Sequence, residues 1–235
     1  FDLDNTLTPS KSHIEDAHIP ILKQLADRND VIVVSGHGEK DIKNHLTPTL
    51  EGFYYILGQN GNRAEMKDRS VLWNNSLSRD KKDAIFAFIK KARAYLNYKV
   101  KDENDIVEDR DSQIAFSLIG HHEDKKIKDA FDPDHAKRRK LLTDLADDVK
   151  KLEKAGVEIR TGGTTNLDIF ELGKNKGYNV EKFIETMGWQ KDECLYIGDA
   201  LFPGGNDETV IGIIATHAVK DHNDTFEFIK NTLLA

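Results

Sequence analysis

Cysteine is almost missing from this chain. Cys194 stands alone among 235 residues, which excludes an intrachain disulfide and fits a reducing compartment, so a cytoplasmic location is expected. Long apolar runs are missing too. None approaches the ~20 residues that a bilayer-spanning helix needs, and no membrane partner is expected. No leader-type segment is visible, although the chain opens inside a motif and without methionine, so its natural start is expected upstream. A positive balance is also lacking: 34 Lys and Arg face 41 Asp and Glu, a formal charge of -7. Nucleic-acid phosphates demand a basic footprint, so no nucleic-acid partner is expected. There is no internal repeat, no low-complexity tract, and no cysteine–histidine cluster that suggests zinc. Oligomeric state is left open.

What is present suffices for a folded core. Hydrophobic residues make up 38% and charged residues 32%, enough for one large domain or two small ones. Residues 14–27 carry apolar side chains at helical spacing, interrupted by Pro20, which marks a helix start. Val31 to Val34 reads as a buried parallel strand, followed by a turn at Ser35 to Gly38 and a helix to Leu46. Phe53 to Leu57 is a further strand, closed by the turn signal Gln59-Asn60-Gly61. Strand, helix, strand at this spacing predicts a parallel α/β sheet.

The pattern changes near Ser78. An amphipathic helix is predicted over 80–96 and a second over 136–155, the latter with Leu141, Leu142, Leu145, Val149 and Leu152 on one stripe and Gly156 as its C-cap. Strands are predicted at 106–107, 114–119, 157–160 and 167–170, so that helices lie on one face of an antiparallel sheet. From 172 the α/β pattern resumes: a helix at 178–187, a strand at 194–197, a glycine-rich loop, a strand at 212–215 and a helix at 224–234. The predicted organisation is an α/β core from 1–78 and 172–235, with an α+β insert over 79–171.

The chemistry lies at two strand ends. The chain opens Phe1-Asp2-Leu3-Asp4-Asn5-Thr6, and alternation along an extended segment puts Asp2 and Asp4 on one side. Far away in sequence, Gly198-Asp199 opens a loop that ends Gly204-Gly205-Asn206-Asp207. Loops at the carboxyl ends of parallel strands are where α/β sheets place ligands. Carboxylates gathered there repel one another unless a cation or a shared proton compensates. Oxygen donors of this kind suit Mg2+. Read alone, each segment is equally an acidic turn.

Taken together, these segments resemble the haloacid dehalogenase-like superfamily. Its four signatures are matched in order by DLDNT (2–6), by Ser35 closing VIVVSG, by Lys176 in GKNKG and by GDALFPGGND (198–207). The insert between the serine and the lysine is placed like a type IIB (Cof-type) cap. The nearest resemblance is to eukaryotic-type phosphomannomutases, which share DxDxTLTP, a segment like Gly162-Gly163-Thr164-Thr165-Asn166-Leu167-Asp168-Ile169-Phe170, and GDxxxPGGND. The resemblance implies a Rossmann-like parallel-sheet core with an inserted α+β cap, Mg2+ as cofactor, and a small phosphorylated metabolite as substrate. It makes Asp2 the nucleophile and Asp4 the general acid/base. The Asp4 carbonyl, Asp2 and Asp199 become metal ligands, with Asp207 and Asn206 supporting directly or through water. Ser35 would bond a phosphoryl oxygen, Thr6 would hold the loop, and Lys176 would neutralise charge, with Lys174 as its competitor. Asn5 departs from the family's glycine but tolerates unusual backbone angles.

The same resemblance separates two activities. A mutase must hold a sugar bisphosphate in two orientations, and phosphomannomutases do so with cap arginines, whose fork matches phosphate. Of four such positions this chain keeps Arg110. His121 stands at the second, Lys128 near the third, and Lys11 replaces the arginine after LTP. Asn166 and Asp168 match the pair that contacts sugar hydroxyls. The weakened distal set favours a phosphatase, with a phosphohexomutase as the alternative and a non-catalytic sugar-phosphate sensor as the third reading. An ion pair with Asp109 or Asp111 is the alternative role for Arg110, and a solvated strand end for His121 and His122. Cap closure is expected to gate the site about hinges near Leu77–Arg79 and Leu172–Gly173.

Overall fold

The computed structural model describes residues 1–235. The chain forms two compact units, one built from Phe1–Asn75 with Lys174–Ala235 and the other from Ser76–Gly173.

The first unit begins with α1 (Ile19–Ala26), β1 (Val31–Val34), α2 (Glu39–Leu46), β2 (Tyr54–Gly58), β3 (Arg63–Glu65) and β4 (Val71–Asn74). The first helix starts at Ile19, with Pro20 in its first turn as the sequence predicts, where a missing N–H costs nothing; the apolar spacing from Ile14 begins before it. β1 and β2 run parallel, from Val31 opposite Tyr54 to Val34 opposite Leu57, and β3 and β4 add antiparallel to β2. The unbroken Val-Ile-Val-Val run reflects a sheet covered on both faces. Val31, Val33, Tyr54 and Ile56 meet Leu22, Leu25, Ile42 and Leu46 on one side. Val34, Tyr55 and Leu57 meet Val180, Phe183 and Ile184 on the other. β3 and β4 have no counterpart in the sequence reading. They are short: β3 is Arg-Ala-Glu, and β4 offers only Val-Leu-Trp, half exposed to exposed throughout.

The second unit contains α3 (Arg79–Tyr95), β5 (Val107–Asp109), β6 (Gln113–Ser117), α4 (Lys125–Phe131), α5 (Ala136–Asp144), α6 (Ala146–Lys154), β7 (Val157–Gly162) and β8 (Asn166–Glu171). Its sheet is wholly antiparallel in the order β5-β6-β8-β7. One sheet face supplies Ile114, Phe116, Leu167 and Ile169 to a core shared with Ile85, Phe88 and Ile89 of α3. The single helix predicted over 136–155 is two helices. Leu145, at φ -104° and ψ 24°, interrupts the coil between them. The apolar stripe survives the break, since Leu141, Leu142, Leu145, Val149 and Leu152 all join the same core. Gly156 follows α6 at φ +76°.

The chain then returns to the first unit with α7 (Lys176–Met187), β9 (Leu195–Gly198), β10 (Ala215–Ala218) and α8 (His222–Phe228). β10 lies three residues beyond its predicted position. Gly212 sits in a turn at φ +86°, and Ala215 is the residue paired with Leu195 of β9. The first residues of the chain join the two parallel pairs. The Phe1 amine donates to the Ile32 carbonyl (2.9 Å) and the Val34 N–H to Phe1 (2.8 Å), while the Asp2 N–H donates to Ile197 (2.9 Å). Phe1 and Asp2 therefore lie strand-like between β1 and β9. No helix is long and apolar enough to cross a membrane.

Candidate active site

Three neighbouring strand ends of the first unit converge. Asp2 ends the joining segment, Ser35 follows β1, and Asp199 follows β9. Ser35 is fixed by main-chain bonds, its N–H to Leu57 (3.0 Å) and its carbonyl from Asn60 (2.8 Å). Gln59, Asn60 and Gly61 all have positive φ, so the predicted turn bends sharply here. α7 aims its first residue at the same place. Asn175 caps the helix by accepting from the Tyr178 N–H (3.1 Å), and the Lys174 carbonyl is held by Asn62 (2.9 Å) and Asn179 (3.1 Å). Lys176 turns inward, while Lys174 reaches out to the Tyr178 hydroxyl (2.8 Å).

Lys176 is almost wholly buried, and its ammonium bridges two carboxylates, Asp2 at 2.7 Å and Asp207 at 2.6 Å. Asp207 also accepts from the Tyr196 hydroxyl (2.7 Å) and the Ala200 N–H (3.3 Å). Gly198 is required beside it, since a Cβ there would lie 2.4 Å from the Asp207 carboxylate. Thr6 accepts from the Asp199 N–H (3.1 Å) and stands 3.4 Å from its carboxylate, and Asn5 reaches the same carboxylate at 3.5 Å. Carboxylate oxygens of Asp2, Asp199 and Asp207 fall within 4.8 Å of one another. Asn206 is half-buried in the same loop.

The electrostatics follow from that crowding. Burial pushes the Asp2 carboxyl up against the pull of Lys176, and Asp207 and Asp199 add repulsion. Burial and Asp207 likewise raise Asp199 to about 6. Burial and the same carboxylates push the Tyr196 hydroxyl well above its ordinary value. One buried ammonium therefore offsets only part of the local negative charge.

Asp4 lies in a different setting. Its carboxylate accepts from the Lys11 N–H (2.6 Å) and touches His37 Nε2 (2.8 Å). Burial acts to raise its pKa, but the His37 bond and charge and the Lys11 N–H outweigh it and hold it at about 2. Lys11 thus meets Asp4 through its main chain. His45 completes a second cluster with Asp4 and His37. Neither imidazole is singled out by the sequence reading. The signal available was spacing: His37, Asp41 and His45 recur every four residues, from the turn before α2 through its last turn.

In the second unit, strand register puts the remaining residues on one polar face. Asn166 stands opposite Ser117 and Gly162, and Asp168 opposite Ala115 and Arg160, on the side away from the apolar core. Arg110 pairs with Glu108 (2.5 Å). The buried Lys128 ammonium donates to the His121 carbonyl (2.6 Å). His121 is half-buried with Nε2 3.3 Å from the Ala115 carbonyl, while His122 binds Asp105 (2.5 Å).

The family described as haloacid dehalogenase-like hydrolase matches residues 1–208. The chain belongs to that family. Within the family it is distantly similar to phosphomannomutases along its whole length. It is 26% identical to phosphomannomutase 1 of Dictyostelium discoideum over 241 residues, covering 97% of this chain and 93% of the relative. Among solved structures, it resembles an IMP-bound IMP-nucleotidase of Plasmodium falciparum, with TM-score 0.71 and 15% identity, over 100% of this chain and 67% of the other. It also resembles a haloacid dehalogenase-like hydrolase of Bacteroides thetaiotaomicron, with TM-score 0.65 and 16% identity, over 97% and 96% of the two chains.

For a haloacid dehalogenase-like hydrolase, the first unit therefore gathers Asp2, Lys176, Asp199 and Asp207 into one cluster with Thr6, and sets Asp4 beside Lys11 and His37. Ser35 and Asn206 lie in loops that border the cluster. Arg110, Lys128, Asn166 and Asp168 belong to the other unit. Tyr196, which anchors Asp207, has no counterpart in the sequence reading, because a strand tyrosine reads as core.

Proposed function

We propose that this chain is a Mg2+-dependent phosphatase acting on a small phosphorylated metabolite, with a sugar phosphate as the favoured class. The observation that carries the reading is the buried Lys176 ammonium held between Asp2 and Asp207, with Asp199 alongside. A binder has no need to bury a nucleophile against a fixed cation. Asp2 attacks phosphorus, an Asp2–phosphorus bond forms, and the ester bond breaks as the leaving oxygen takes a proton from Asp4. Asp4 must first be protonated on substrate binding, because the resting site holds its carboxyl ionised at neutral pH. Water then attacks the phosphoryl group and gives its proton to Asp4. The Asp2–phosphorus bond breaks, and phosphate is released.

The donor set fits a hard divalent ion, since Asp2, Asp199 and the Asp4 carbonyl are all oxygens. Asp207, already engaged by Lys176, Tyr196 and the Ala200 N–H, acts mainly by holding Lys176. When bound, Mg2+ supplies positive charge that offsets the phosphoryl oxygens. Ser35 and Lys176 donate to those oxygens, and Thr6 keeps the Asp199 loop in place. In this reading the second unit is a type IIB cap, and Asn166 and Asp168 on its polar face bind substrate hydroxyls.

The phosphohexomutase reading stays in play because the phosphomannomutase similarity spans 97% of the chain. Against it stand the engaged cations of the cap. Arg110 pairs with Glu108 and Lys128 with a main-chain carbonyl, which leaves a poor copy of a phosphate fork.

The test follows free phosphate and mannose 6-phosphate from mannose 1-phosphate and Mg2+, with and without glucose 1,6-bisphosphate, with Asp2→Asn as the blank. The panel extends to other sugar phosphates and to IMP. Free phosphate without isomer is expected on at least one ester. Bisphosphate-dependent isomer with little free phosphate would make the chain a mutase. Tight binding without turnover across the panel would make it a sensor.

A further inference from the structure

We propose that Asp4, His37 and His45 form a second metal site, suited to a transition-metal cation such as Zn2+, and that its occupation shuts off phosphoryl transfer. The shut-off half rests on the phosphatase reading given above. The binding half does not.

Three separate segments supply the site: the opening loop, the turn after β1, and the last turn of α2. One donor atom from each residue lies within 4.8 Å of the other two. His37 Nε2 and the Asp4 carboxylate are already 2.8 Å apart. Adjacent ligands of one ion, each bound at about 2.0–2.2 Å, stand about 3 Å apart, so this pair needs almost no movement. The His37 and His45 rings are edge-on, with centroids 5.3 Å apart and planes 77° apart, so they splay rather than stack. On the other side of His37, Nδ1 faces the Asp41 carboxylate at 3.8 Å, the kind of outer partner that orients a metal-binding imidazole.

A second, independent observation comes from His45. The residue is nine-tenths buried, yet its Nδ1 has no hydrogen-bond partner. Buried polar atoms without partners are uncommon and call for an explanation such as a bound ion. Donor chemistry then separates the two sites. Two imidazoles and one carboxylate favour zinc, cobalt or nickel, whereas the all-oxygen set of Asp2, Asp199 and the Asp4 carbonyl favours Mg2+.

The consequence is chemical. Coordination by His37 Nε2 sends any proton held there to solvent, and the Asp4 carboxylate gives an electron pair to the ion. That pair is the one that accepts the proton of the attacking water, so the acid/base cycle stops while the Mg2+ site stays intact.

The experiment titrates the full chain, saturated with Mg2+, with Co2+ as a spectroscopic probe, and assays hydrolysis in parallel. One Co2+ per chain is expected above the Mg2+ background, with visible absorption bands and paramagnetically shifted imidazole N–H signals in the wild type. His45→Gln should weaken binding at least about tenfold and remove the inhibition by Zn2+ or Co2+. The imidazole signals test the site in the wild type even if the variant fails to fold. Absence of a Co2+ site in the Mg2+-saturated protein, absence of the imidazole signals, or binding unchanged in a folded His45→Gln would overturn the site. Binding with undiminished hydrolysis would overturn the shut-off.

Discussion

Lys176 carries more of the candidate site than any other side chain, because its ammonium bridges the buried Asp2 and Asp207 carboxylates, with half-buried Asp199 alongside. Its position could not be read from spacing alone, since Lys174 and Lys176 both lie near a helix start. The cap decides between them: Asn175 closes the helix end, Lys176 becomes the first helical residue, and Lys174 is left outside with Tyr178. Lys176→Met keeps the length and removes the charge. Turnover is expected to fall by about 10²–10³-fold, the usual cost of one preorganised electrostatic partner. Breaking a buried pair costs about 3–5 kcal/mol when a charge is left behind. The variant is expected to lose less than that at acid pH, where Asp2 can take a proton, and more at alkaline pH. Steady-state kinetics and denaturant titration of the variant across pH check both halves. A fully active Lys176→Met would remove the basis of the reading.

At the scale of elements, most of the fold was legible wherever an apolar period was long or a turn residue was explicit. β1, α2, α3 and the Gly156 cap fall in that class. The misses have local causes. β3 and β4 are too short to show a period, and the break at Leu145 leaves the apolar stripe intact, so periodicity is blind to it. The Asp132–Arg138 pair was invisible for a different reason: in sequence it is a charged stretch like any other. In the fold both side chains are 0% exposed. Arg138 donates to Asp132 (2.7 Å) and to the carbonyls of Gly162 (2.9 Å), Gly163 (2.9 Å) and Asn166 (3.1 Å). It therefore ties α5 to the turn between β7 and β8 that leads into Asn166 and Asp168. Arg138→Met strands Asp132 and three carbonyls together, and a loss of about 3–5 kcal/mol is expected. Urea unfolding followed by circular dichroism reads it. A loss below about 1 kcal/mol, the scale of an exposed pair, would show that the guanidinium is not buried as described.

For the whole molecule, the sequence announces an acidic chain, and the fold concentrates part of that acidity where it resists ionising. Ordinary carboxyls ionise near pH ~4, whereas burial and Asp207 hold Asp199 up to about 6 in the folded chain. Between those values the folded state binds more protons than the unfolded state, so this group's contribution to stability falls as pH rises. Asp2, pushed up by burial in the same cluster, extends the fall to higher pH. Asp4 works in the opposite sense. Held at about 2, it contributes stability that is complete above pH ~4 and is lost as pH drops toward 2. His18, His45 and His135, whose pKa values burial lowers, oppose the fall below about pH 6.5. The metal-free protein, kept in chelator, is therefore expected to melt at progressively lower temperature from about pH 7 to about pH 8, where Asp2 dominates. Mg2+ should reverse the trend most strongly at the alkaline end, because the ion binds the deprotonated oxygens and stabilises only the state that gathers them. Melting curves at several pH values, with chelator and with Mg2+, make the comparison. A melting temperature that rises across this range in chelator, or that Mg2+ leaves unmoved at about pH 8, would mean that the three carboxylates do not act as one cation-dependent group.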